Sequence, residues 1–133
     1  DWFVNLNEKL VKNILGNIPL ENISFLKSSS LKIGDTRIIS NKSAVYKLVA
    51  HYLMNEKNSK QLPINDVCRF HLGNGAIIDD IVINANISEV GFKRSFGVMV
   101  NYLYELKNIE KNHEEYINKK TTKISNKVKK LIQ

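Results

Sequence analysis

Cysteine occurs once in these 133 residues, at Cys68, so no disulfide can form within the chain and the usage fits a reducing compartment. The cytoplasm is the expected location, with an organelle matrix as the alternative. Apolar runs are short: none approaches the roughly 20 residues of a membrane-spanning helix, so no membrane partner is expected. The chain opens on Asp1-Trp2-Phe3, with neither an initiator Met nor a charged-then-apolar leader, and reads as a mature product or a piece of something longer. Acids are scarce, 13 against 20 Lys and Arg, giving a formal charge of +7. That excess is concentrated late: from Lys107 onward eight lysines face only Glu110, Glu114 and Glu115. Because the tail has no aromatics beyond Tyr116, a solvated helix face outweighs an RNA or DNA surface, and nucleic acid is not an expected partner.

What is present is ordinary for a globular domain, with 43% apolar and 25% charged residues and a length suited to one domain. Leu6, Leu10, Val11 and Ile14 predict a helix ending near Gly16 and Pro19. Residues 24–35, with the Ser28-Ser29-Ser30 run and Gly34, read as a connection with a short helical turn. From Ser43 to Lys57, the spacing of Val45, Leu48, Val49, Tyr52 and Leu53 predicts the best-defined helix. Ile64 to Leu72 suits a strand. Ile77, Ile78, Ile81 and Val82 then repeat as one helical face, with Asn74 as N-cap and Asp79 and Asp80 near the first turn. Gly97 to Leu106 alternates as a strand, with Val98, Val100, Tyr102 and Tyr104 on one side. A terminal helix is expected from Glu110 to the end.

Of the residues that could carry chemistry, His71 stands out, at the end of the expected strand and before the Gly73-Asn74-Gly75 turn. Such positions open onto ligand crevices in α/β folds, although a hydrogen-bonded structural histidine gives the same pattern. His51 and His113 have no convergent partner in the sequence. Cys68 and His71 form a C-x-x-H pair without the further ligands a zinc site needs, so no metal is expected. Tyr102 and Tyr104 share a strand face and read as packing residues, though a phenol can also stabilise an oxyanion.

Three words in order, Arg69-Phe70-His71-Leu72-Gly73-Asn74-Gly75-Ala76, Gly97-Val98-Met99-Val100-Asn101-Tyr102-Leu103-Tyr104 and Ile109-Glu110-Lys111-Asn112-His113-Glu114-Glu115-Tyr116, resemble the malonyl-CoA decarboxylase family. Ala50 to Lys57 resembles the helix before them. The resemblance implies the C-terminal portion of an acetyltransferase-like (GNAT-like) α/β (α+β) fold, with helices packed on a short mixed sheet. It also implies conversion of malonyl-CoA to acetyl-CoA and carbon dioxide, a step of fatty acid metabolism, with no metal or other cofactor. On it, His71 is the proton donor and contacts substrate, Tyr104 is the second catalytic residue, and Asn74 helps bind substrate. Departures from the family pattern matter as well: the Ser-Pro element and the glutamate segment of the family have no counterpart here, since Pro19 follows Ile18 and Pro63 follows Leu62. Asp79-Asp80 and Ile83-Asn84-Ala85-Asn86 differ from the Arg- and Trp-containing stretch that follows the histidine word in the family. The expected organisation is a partial catalytic domain over 1–133, with a helical region at 1–43 that no motif places, a family-like core at 44–116 and a basic terminal helix or tail at 117–133. The chain is expected to be inactive alone and to need its N-terminal half or a homo-oligomer. A non-catalytic basic interaction module and an acyl-CoA transferase variant are the alternatives.

Overall fold

The computed structural model describes residues 2–3, 6–27 and 31–133; Asp1 and the Ser28-Ser29-Ser30 run fall outside them. The chain divides into two compact units, residues 1–48 with 82–99, and 49–81 with 100–133.

In the first unit, α1 (Glu8–Leu15) starts where Asn7 accepts a hydrogen bond from the Leu10 amide and stops at Gly16, whose φ of 63° ends the helix. Its buried row is Val11 and Leu15, one step round from the row that Leu6, Leu10 and Ile14 suggest. Two 3₁₀ turns follow, Leu20–Asn22 and Ser24–Lys27. The short helix α2 (Thr36–Ser40) begins where Asp35 accepts from the Arg37 amide. Helix α3 (Lys42–Asn55), whose residues after Leu48 belong to the second unit, carries the expected apolar face, with Val45, Leu48 and Leu53 buried. Later in the chain, Ser88 caps α5 (Glu89–Ser95), which ends at Phe96 in the left-handed conformation.

The second unit holds the family-like words. Helix α4 (Asp66–Gly73) occupies the stretch whose composition suggested a strand. The reason is local: Asn65 accepts from the Cys68 amide and Asp66 sits in the first turn, so the start of a helix is satisfied. Conversely, Ile77–Val82 is strand β1 and not a helix. Asn74 is accordingly the C-cap of α4, not an N-cap. The six residues from Ile77 to Val82, before the turn at Ile83 and Asn84, are too few for a stable helix, and β-branched isoleucines favour the extended chain. Strand β2 (Met99–Leu103) runs antiparallel to β1. The sheet is therefore two-stranded and antiparallel where a short mixed one was expected; an isolated parallel bridge joins Ile78 to Ile124 outside it, because only that one residue pair of the later segment meets β1. The expected terminal helix is two: α6 (Ile109–Lys119) ends at Lys120 in the left-handed conformation, and α7 (Asn126–Leu131) restarts on a Ser125 cap.

Gly75 is the tightest point. Its φ is 91°, and a Cβ placed there would lie 2.5 Å from the Ile109 carbonyl oxygen. Gly75→Ala is therefore expected to cost about 2–4 kcal/mol, combining backbone strain with a clash against main chain. Gly16→Ala meets open space at φ 63° and should cost about 1 kcal/mol. Urea denaturation of the two variants checks this ordering.

Candidate functional site

The last turn of α4 presents His71 because Cys68 and Leu72 are drawn inward, leaving Phe70 exposed and His71 half-buried. Arg69 holds the approach to the helix, donating to the Pro63 carbonyl at 2.8 Å and to the Ile64 carbonyl at 3.3 Å. Opposite stands β2, which holds Tyr102, with Tyr104 as the first residue past its end; the two-residue period of extended chain puts both on one side. Both meet His71. The Tyr104 hydroxyl lies 2.6 Å from His71 Nδ1. The Tyr102 ring stacks on the imidazole with centroids 4.4 Å apart and planes 21° apart, while Phe70 meets it edge-on at 5.2 Å. The sequence brought His71 and Tyr104 forward as a pair, and they are in contact. The packing role read for Tyr102 is present, but its packing partner is His71 itself.

Helix α6 clamps the backbone on either side of Asn74. Asn112, a buried polar residue, donates to the Gly75 carbonyl at 3.1 Å. Lys123 donates to Asn112 Oδ1 at 2.9 Å and pairs with Glu115 at 2.7 Å. His113 Nδ1 lies 2.6 Å from the Gly73 carbonyl oxygen. A carbonyl only accepts, so His113 carries its proton on Nδ1. Sequence reasoning left His113 without a partner, because a contact to main chain 40 residues away has no side-chain signature; the Asn112-His113 pair inside a matching word was the available clue. Asn74 turns its amide back onto its own helix, donating to the Phe70 carbonyl at 2.9 Å.

The electrostatics follow from position. Asn74 ends α4 and no helix starts after it, so the dipole end nearest His71 is the negative one, which favours a cation. Burial pushes the Cys68 thiol up, with Tyr102 and the charge of Lys57 opposing. Burial likewise pushes the Tyr102 hydroxyl up, reinforced by Cys68. Lys57 is lowered by burial and donates to Thr122 Oγ1 at 3.0 Å. His51 Nε2 lies 3.6 Å from Glu56. Among the described residues no three His, Cys, Asp or Glu side chains gather as metal ligands would. No described helix is long and apolar enough to cross a membrane. Part of the basic tail is spent internally: Lys127 lies 3.7 Å from Asp79 and 3.9 Å from Asp80.

Comparison with known proteins matches residues 2–133 to the malonyl-CoA decarboxylase C-terminal domain. Mitochondrial malonyl-CoA decarboxylase of Mus musculus is 31% identical over 123 residues, 92% of this chain and 25% of that protein. The protein of the same name from Anser anser anser is 33% identical over 129 residues, 96% of this chain and 25% of its own length. The crystal structure of malonyl-CoA decarboxylase from Cupriavidus metallidurans superposes with a TM-score of 0.78 at 28% identity, covering 98% of this chain and 35% of that one. The chain thus spans about a quarter of the length of the curated relatives it matches.

Two outcomes are expected. Asn112→Ala strips the Gly75 carbonyl of its side-chain donor and Lys123 of one of its two acceptors, and should lower the stability measured by urea denaturation by about 1–3 kcal/mol. Lys123 holds the Glu115 carboxyl below its ordinary value of 4.5, chiefly through their hydrogen bond. Its folded value is depressed, so its contribution to stability is full above 4.5 and is lost as pH falls through the lower folded value. Acid titration of the parent against Lys123→Gln, followed by circular dichroism, should show this acid-side loss in the parent and a smaller one in the variant.

Proposed function

Because the chain belongs to the malonyl-CoA decarboxylase family, we propose that it carries the protonating wall of a site that converts malonyl-CoA to acetyl-CoA and carbon dioxide. The contact between His71 Nδ1 and the Tyr104 hydroxyl is the observation that carries the reading. Loss of carbon dioxide breaks the bond between the carboxylate and C2 and sends the electron pair into the thioester as an enolate. With His71 as imidazolium, Nδ1–H donates to the Tyr104 oxygen, and the Tyr104 O–H is free to donate to the enolate oxygen. Nε2–H then delivers the proton to C2, and His71 recovers it from water. The negative end of α4 suits a histidine that works as a cation. Every step uses proton donors of the chain itself, so the proposal needs no metal or other cofactor. Asn74, three residues on from His71, is proposed to face the acyl-CoA.

The same reading treats the unit of α4, β1, β2 and α6 as the C-terminal portion of an acetyltransferase-like fold, supported by the antiparallel β1–β2 pair and the parallel bridge at Ile124. The relatives are about four times as long, and no serine in this chain precedes a proline. The serine and glutamate implied by the family words are therefore supplied from an N-terminal part of the enzyme or from a second subunit. The reaction belongs in an aqueous compartment, the cytoplasm or an organelle matrix.

The test is to combine the chain with the N-terminal part of a longer family member and measure carbon dioxide release from malonyl-CoA. His71→Ala should lower kcat by about 10²–10⁴-fold, and Tyr104→Phe by about 10²-fold. An assembled protein that binds both parts and releases no carbon dioxide would remove the decarboxylase reading for this chain.

A further inference from the structure

The Tyr102–His71 stack contains a residue whose role goes beyond the acid and the phenol. We propose that Tyr102 is a positioning residue: its ring is the surface that holds the His71 imidazole with Nδ1 on Tyr104 and Nε2 free to deliver the proton. The use of this device rests on the decarboxylase reading; its geometry does not.

The need for it comes from the histidine side chain. Rotation about its last torsion is broad and roughly two-fold, so the backbone alone does not decide whether Nδ1 or the carbon edge of the ring faces Tyr104. A hydrogen bond chooses between the two only if the ring plane is already set. The stack sets it. Rings 4.4 Å apart and 21° from parallel leave the imidazole free to slide but not to tilt, and Phe70 bounds it edge-on at 79°. With the plane fixed, the Tyr104 hydroxyl at 2.6 Å selects the Nδ1 edge.

Tyr102 lies in β2 and Tyr104 is the first residue past its end; the two-residue spacing of an extended chain puts both on one side. That side supplies the plate and the phenol together, while the last turn of α4 supplies the acid.

The experiment is ¹⁵N spectroscopy of the His71 ring in the 133-residue chain, with the imidazole neutral. In the parent the phenol donates to Nδ1, so a single tautomer with the proton on Nε2 is expected. Tyr102→Leu removes the plate and should populate both tautomers, with averaged ring shifts and an amide spectrum that remains folded. Tyr102→Phe keeps the plate and should keep the single tautomer, and Tyr102→Val serves if the leucine variant unfolds. A folded leucine or valine variant whose His71 shifts match the parent would reduce Tyr102 to packing and overturn the proposal. In the assembled enzyme, Tyr102→Leu should lower kcat tenfold or more with KM unchanged; a rise in KM alone would also overturn it. If the tautomers respond but no carbon dioxide is released by any form, the decarboxylase reading falls and the positioning role stands.

Discussion

A backbone contact governs the second unit: α6 comes so close to the turn after α4 that position 75 has no room for a side chain. The close approach lets Asn112 reach the Gly75 carbonyl and His113 reach the Gly73 carbonyl. Those oxygens lie in a turn between a helix and a strand, where they have no ladder partners and must find donors elsewhere. The Ala76 amide meanwhile returns to the His71 carbonyl at 3.1 Å. The main chain of His71 is thus fixed by a turn that α6 fixes in its own right. Behind Asn112, Lys123 and Glu115 complete a relay that keeps its amide oriented.

Fixing the main chain is only half of what the proposed proton donor needs. For that role the ring must also present one nitrogen to a partner and the other to the substrate, and here β2 and the residue after it supply the constraint. Tyr104 takes Nδ1 through its hydroxyl while Tyr102 takes the ring face. The end of α4 adds a negative potential at the same place. The apolar positions do the larger share of the stabilising: Leu72, Ile78 and Ile81 are almost wholly buried, and each such side chain contributes on the order of 1.5–3 kcal/mol. The polar contacts decide geometry more than stability.

How far the sequence conveyed this depends on where the determining signal sits. Helices α1 and α3 and strand β2 were legible because their apolar periods run long enough to be unambiguous. The exchange of α4 and β1 shows the limit. Phe70 and Val67 made a helix look like a strand, and four Ile and Val residues made a strand look like a helix. The overlooked evidence was Asn65-Asp66, a cap followed by an acid, together with the shortness of the second run. The short helices α2 and α5 were missed for a related reason, since their caps at Asp35 and Ser88 precede too few apolar residues to show a period. His71 and Tyr104 were legible as members of matching words, although their 2.6 Å contact was not. The clamp from Asn112 and His113 was hidden because its acceptors are main-chain oxygens, which no side-chain pattern announces.

The central claim is that His71 gives a proton to the carbon that loses carbon dioxide. The group that protonates an enolate must, in reverse, take a proton from the methyl group of acetyl-CoA. The most direct measurement is exchange of the acetyl methyl hydrogens of acetyl-CoA with deuterium oxide, catalysed by this chain assembled with the N-terminal part of a family member. The account predicts exchange by the parent assembly and its loss in His71→Ala. Exchange that continued undiminished without His71 would place the proton donor elsewhere and contradict it.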